Sequence, residues 1–155
     1  MDVKTKAIGT VSAKDGYRIV LNGRYAAGLA GLDGFSHIVV LWYADRMPDG
    51  HDGPFVLDKP YENGPDRMGI FATRSPFRPN GICCTAAKVL DVSADRGTVE
   101  VEWIDAADGT PVLDIKPYHP SEDRVRDASV PPWCSHWPQC WEESADFPWE
   151  DEFPR

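Results

Sequence analysis

The sequence predicts a mainly β fold: a small single-domain β-barrel with long loops and an extended, Trp-rich, acidic C-terminal tail. Three observations predict it. Short apolar runs, β-branched or alternating, recur along the chain. Thirteen glycines and fourteen prolines punctuate them. No long window sustains a helical period. Many short strands with few helices suit a closed or sandwiched β-architecture.

The elements follow in order. "KAIGTVS" (Lys6–Ser12) opens the sheet, and "YRIVL" (Tyr17–Leu21) continues it. "HIVVLWY" (His37–Tyr43) is a continuous apolar run, which predicts a strand buried on both faces. "GIFAT" (Gly69–Thr73) and "TAAKVLDV" (Thr85–Val92) are further strands. "TVEVEW" (Thr98–Trp103) alternates, with Val99, Val101 and Trp103 on one face and Glu100 and Glu102 on the other. "VLDI" (Val112–Ile115) completes the set. Arg46–Arg67 is a long Pro/Gly/Asp-rich connection, of a length that is often functional or mobile. From about Val130 the composition turns to Trp, Pro and acids, and four of the six tryptophans lie there. Residues 1–130 are therefore read as the barrel, and residues 131–155 as a tail that packs aromatic anchors onto it.

Composition bounds the function. The chain has 155 residues, enough for one domain with a core of reasonable size. No apolar run approaches the ~20 residues of a membrane span. The opening "MDVKTKAIGT" lacks the basic-then-apolar pattern of a secretory signal, so a cytoplasmic location is expected. The net charge is −9, and the last fourteen residues hold six acids and one base. The body is only mildly acidic. That balance does not favour a nucleic-acid binder, though it leaves room for a basic patch on one face. Cys83, Cys84, Cys134 and Cys140 are expected as reduced thiols.

Four stretches can carry chemistry. In "RSPFRPN", Pro76 and Pro79 stiffen the backbone that bears Arg74 and Arg78. Guanidinium forks suit carboxylates, phosphates and flat rings, or they pair with the chain's own acids. "DGTPVLDIKPY" (Asp108–Tyr118) marks a tight turn followed by a strand, with Asp114 and Lys116 on one side of it. "GLAGLDGFSH" (Gly28–His37) places glycines ahead of a strand, where His37 is either a base or a satisfied entry residue. "CSHWPQC" spaces Cys134, His136 and Cys140 as zinc donors would be spaced, but a structural zinc takes four ligands. Packing of Trp and Cys is the favoured reading there, and no metal is expected.

Together "IGTV", "GLAGLDGFSHIVVLWY", "GIFATRSPFRPNGI" and "DGTPVLDIKPYHPSED" resemble the TsaA-like (TrmO, YaeB) family of S-adenosylmethionine-dependent methyltransferases, over roughly Ala7 to Asp123. The resemblance implies a small dimeric β-barrel with its cofactor, S-adenosyl-L-methionine, near the dimer interface. It implies methylation of the threonylcarbamoyl-modified adenosine beside the anticodon of threonine tRNA. Carried over residue by residue, it places Arg24, Tyr25, Ala26, Ala44, Asp45, Arg74, Cys84, Asp108, Gly109, Thr110 and Pro111 at the cofactor. Arg78, Asp114 and Lys116 fall on the substrate side. His37 and Asp114 are the candidate bases. The chain departs from the family pattern at Gly81, at Cys83-Cys84 and at Thr85, and it lacks a Phe-His pair at Ala44-Asp45. A tRNA substrate requires a basic strip from Arg18, Arg24, Arg74, Arg78, Lys88 and Lys116. The alternatives are methylation of a small metabolite, or a non-enzymatic S-adenosylmethionine-binding or zinc-binding module.

Overall fold

The computed structural model describes residues 3–47 and 53–154. Residues 48–52, inside the predicted long connection, lie outside that description. The main sheet has six strands: β1 (Gly9–Ser12), β2 (Tyr17–Leu21), β3 (His37–Tyr43), β6 (Ile82–Ser93), β7 (Thr98–Val101) and β8 (Pro111–Pro117). They close in the order β1-β2-β7-β6-β3-β8, and β8 pairs back onto β1. A separate two-stranded ribbon, β4 (Val56–Asp58) with β5 (Arg67–Gly69), sits in the connection.

Alternation explains the interior. Ile19, Ile38, Val40, Ala87, Val99 and Val112 are fully buried and form one core cluster with Val11, Val101 and Ile104. Burying each large aliphatic chain contributes ~1.5–3 kcal/mol. The strands approach closely at Gly9, where a Cβ would fall 2.2 Å from the Val20 carbonyl oxygen. Only glycine lets β1 and β2 meet there.

β6 links the two halves of the barrel. Its first half pairs with β3 (Lys88 opposite His37, Ile82 opposite Tyr43), and its second half pairs with β7. A register shift between Val89 and Asp91 separates the two. Such a bulge bends a strand and re-aims its side chains.

Three expectations need correction. β3 is buried on one face only: Ile38 and Val40 point into the core, and Val39, Leu41 and Tyr43 are half-buried outside it. "GIFAT" is not a strand. Gly69 ends β5, and Ile70–Ala72 form a 3-10 turn closed by the Thr73 N–H on the Ile70 carbonyl at 3.1 Å. Trp103 lies beyond the end of β7 and is 42% exposed, while Ile104 takes the buried place.

Residues 131–154 hold three short 3-10 turns, Pro132–Cys134, Trp141–Asp146 and Trp149–Asp151, so the tail is folded and not extended. Its rings gather on Tyr61. Trp133 stacks on it at 5.1 Å, and Trp137 and Phe153 approach at 5.3 and 5.7 Å. Trp149 and Phe147 extend the cluster from Trp137. At its base Glu152, nearly buried, accepts from Trp137 Nε1 at 2.8 Å and meets His136 Nε2 at 2.8 Å. Those two hydrogen bonds, His136 first, hold the Glu152 carboxyl below its ordinary range.

Candidate functional site

The 69–82 segment places the arginines. Thr73 is buried, and Arg78 Nη1 donates to the Thr73 and Ser75 carbonyls at 2.8 and 3.2 Å. Arg78 also lies 5.7 Å from the Phe71 ring centre. Its guanidinium therefore knits the loop. Arg74 is exposed and reaches the outer face of β6, where Nη2 lies 3.2 Å from the Cys84 thiol and 3.5 Å from the Cys84 carbonyl. The other guanidinium nitrogens make no hydrogen bond among the described residues.

Register puts Cys84 beside Leu41 and Asp114 on that outer face. One rung along lie Ala86, Val39 and Lys116. Asp114 and Lys116 form an ion pair at 2.7 Å, which raises the Lys116 pKa. The Cys83 thiol is pushed up by burial, with the nearby Asp105 charge adding to it.

The Asp108–Pro111 turn packs on the β1–β2 hairpin. Asp108 Oδ1 accepts from the Ala13 N–H at 3.1 Å, and the Gly109 N–H donates to the Val11 carbonyl at 2.8 Å. Gly109 holds φ +86, a conformation that favours glycine. Arg46 Nη2 donates to the Asp108 carbonyl at 2.8 Å. Beside this turn, at the mouth of the barrel, opens a cavity of ≈ 450 Å³. Ala44, Asp45 and Thr110 line it together with Pro76 of the Arg74 loop. Its aromatic walls are Tyr17, Trp42 and Trp103. Trp42 is fixed by its indole N–H on Thr85 Oγ1 at 3.1 Å.

Arg24, Tyr25 and Ala26 are placed elsewhere, in the 3-10 turn Gly23–Leu29 that follows β2. Arg24 hydrogen-bonds the Tyr25 hydroxyl and lies over its ring. Tyr25 and Asp114 line a second cavity of ≈ 400 Å³. This group and the Asp108 turn sit at opposite ends of β2, which at ~3.3 Å per residue separates them by ~17 Å. The chain thus gathers Ala44, Asp45, Thr110 and Pro76 of the Arg74 loop, and leaves Arg24–Ala26 apart.

Half of the anticipated basic strip is neutralised. Arg18 pairs with Glu100 at 3.0 Å, Lys88 with Glu102 at 2.9 Å and Lys116 with Asp114. Cys134, His136 and Cys140 do not converge. Cys134 is buried with its thiol toward the Pro131 carbonyl, His136 faces Glu152, and Cys140 is exposed. Among the described residues no three His, Cys, Asp or Glu side chains are placed to hold a metal. None of their helices is long and apolar enough to cross a membrane. The walls Tyr17, Trp42 and Trp103 were not anticipated as site residues, since nothing local separates them from core aromatics.

The fold and this mouth define a class: small six-stranded barrels that offer an arginine loop and an Asp-Gly turn around an aromatic-walled cavity. The chain belongs to the tRNA-methyltransferase O N-terminal domain family, whose model matches residues 7–124. An S-adenosyl-L-methionine-binding protein of Archaeoglobus fulgidus is 39% identical over 107 residues, 69% of this chain and 72% of its own. The tRNA (adenine(37)-N6)-methyltransferase of Escherichia coli is 37% identical over 121 residues, 77% of this chain and 51% of its own. The chain thus spans about half the length of that enzyme. Among solved structures, TrmO from Pseudomonas aeruginosa superposes with a TM-score of 0.63 at 27% identity, over 83% of this chain and 62% of that one.

Proposed function

We propose that the protein transfers a methyl group from S-adenosylmethionine to the N6 position of the modified adenosine at position 37 of tRNA. The observation that carries this reading is the convergence of Ala44, Asp45 and Thr110 with Pro76 of the Arg74 loop at one barrel mouth. The residues there fit the cofactor. Tyr17, Trp42 and Trp103 offer apolar faces to a planar ring system, and Arg74, two residues before the lining Pro76, has donors left for a carboxylate. When bound, S-adenosylmethionine supplies a methyl group already activated on a sulfonium.

The remaining work belongs to the chain. Arg74 orients the cofactor's carboxylate end, and the 108–111 turn offers backbone groups beside the cavity. The aromatic walls limit water at the reacting atoms. Asp45 lines the cavity with no hydrogen bond or ion pair to its carboxylate among the described residues, which suits it to a ribose or to positive charge. A proton must leave the acceptor nitrogen. Asp114 is engaged by Lys116, and His37 stands at the opposite end of β3 from Ala44 and Asp45, so neither is assigned as the base. A second copy of the chain would bring its own Arg24–Ala26 segment to the mouth, so a homodimer in the cytoplasm is part of the proposal. The test is incubation with labelled S-adenosylmethionine and total tRNA from a strain lacking this protein. Label in the threonine tRNA fraction is expected. Intact cofactor binding without that label would overturn the acceptor.

One observation favours a second reading, methylation of a small metabolite: the ion pairs of Arg18, Lys88 and Lys116 remove charge that a polyanion would use.

A further inference from the structure

Seven of the nine described arginines are held by hydrogen bonds or ion pairs within the chain. The other two, Arg124 and Arg126, make none among the described residues. Both line the same cavity, of ≈ 760 Å³, on the outside of the barrel. Its floor is the outer face of β3 and β6, through His37 and Ala86. Tyr118 lines another side, and the tail contributes Trp141. The His37 ring stands edge-on between the two aromatics, 6.3 Å from Tyr118 and 6.1 Å from Trp141.

Two acids also line this space, and both are engaged. Asp123 Oδ2 accepts from the His119 N–H at 2.7 Å. The Glu142 carboxyl is held low first by its own backbone N–H and then by the Cys140 thiol. Neither arginine forms an ion pair among the described residues, although the Arg124 and His37 charges also help to hold the Glu142 carboxyl low. The place in the fold matters as much. Ala86 is the outward residue of β6 next after Cys84, about 7 Å along the strand. The cavity and the Arg74–Cys84 contact thus share one face. Arg126 and Trp141 lie outside the stretch that the family model matches.

We infer that this cavity is a nucleotide-binding site on the acceptor side, in which Arg124 and Arg126 take a phosphate and Trp141 and Tyr118 take the base. Unpaired guanidinium forks match phosphate oxygens, and aromatic faces stack any nucleobase. The role as an acceptor site rests on the methyl-transfer reading above. The nucleotide site itself does not. The ligand is either a free nucleotide or one residue of an RNA strand.

The experiment is calorimetry on the full chain with adenosine 5′-monophosphate, adenosine, inorganic phosphate and an anticodon stem-loop RNA. S-adenosylmethionine is titrated in parallel. The monophosphate should bind at least tenfold more tightly than adenosine or inorganic phosphate. The double variant Arg124→Ala/Arg126→Ala should lose at least tenfold, because it removes charge-assisted hydrogen bonds. Trp141→Ala should weaken binding and Trp141→Phe should retain it, with folding checked by near-UV circular dichroism. Cofactor affinity should be the same in all of them. A stem-loop at least tenfold tighter than the monophosphate supports an RNA source, and equal affinities support a free nucleotide. Failure of both to bind, or equal binding to wild type and the double variant, overturns the site. Inorganic phosphate that binds as tightly as the monophosphate overturns the base contact. Loss of cofactor binding alone overturns methyl transfer and leaves the nucleotide site standing.

Discussion

The Arg74 guanidinium lies 3.2 Å from the Cys84 thiol, so a loop ahead of β6 is tied back onto the outer face of that strand. This contact fixes where an exposed guanidinium of the loop points. Arg74→Ala should therefore weaken S-adenosylmethionine binding tenfold or more, while the fold stays intact. Charge-assisted hydrogen bonds contribute ~1.5–3 kcal/mol each. Isothermal calorimetry on the folded variant decides it, and an unchanged affinity removes Arg74 from the cofactor.

Cys84 is exposed, whereas burial holds the Cys83 thiol above its ordinary pKa. Alkylation by iodoacetamide near neutral pH should label Cys84 before Cys83. Saturating S-adenosylmethionine should slow that labelling several-fold. Peptide mass spectrometry reads both. Equal labelling with and without cofactor would place Cys84 outside the site.

Glu152 fastens the aromatic cluster, and its pKa is lowered by His136 and Trp137. A depressed carboxyl stabilises the fold fully above its unfolded pKa, near 4.5. That contribution fades as pH falls from there through the folded value. Tryptophan fluorescence should report a loosened tail on acidification below about pH 4.5. Glu152→Gln should flatten that transition. A variant with the wild-type acid profile would remove Glu152 as its cause.

Gly9→Ala tests the close approach of β1 and β2. Its Cβ would meet the Val20 carbonyl at 2.2 Å, so β1 and β2 must separate. A loss of ~1–3 kcal/mol is expected in urea unfolding, the usual range for overpacking. A midpoint equal to wild type would show that the hairpin relaxes freely.

Much of the barrel was legible because burial writes a period of two into β-strands. Val99 and Val101 alternate with glutamates, and both are buried. "GIFAT" misled because its residues suit a strand, while the hydrogen bonds turn the chain. The Ile70 N–H donates to Phe55, and its carbonyl accepts from Thr73. The site was legible only in pieces. Motif spacing marks Arg74 and the 108–111 turn, but it carries no information about which end of the barrel each reaches. Cross-strand register decides that Arg18 meets Glu100. The Arg124–Trp141 juxtaposition exists only because the tail folds back across β3, and no local pattern encodes that return.

The contact between Ala13 and Asp108 joins residues 95 apart in sequence. Closing β8 onto β1 needs nearly the whole barrel sequence to be present, which makes it a late and slow step. A nascent chain that has not yet emerged past Pro111 carries the Arg74 loop but has no mouth for it to face. Competence at this site is therefore a property of the finished ring, and any truncation ahead of β8 should abolish it without touching Arg24, Arg74 or Arg78.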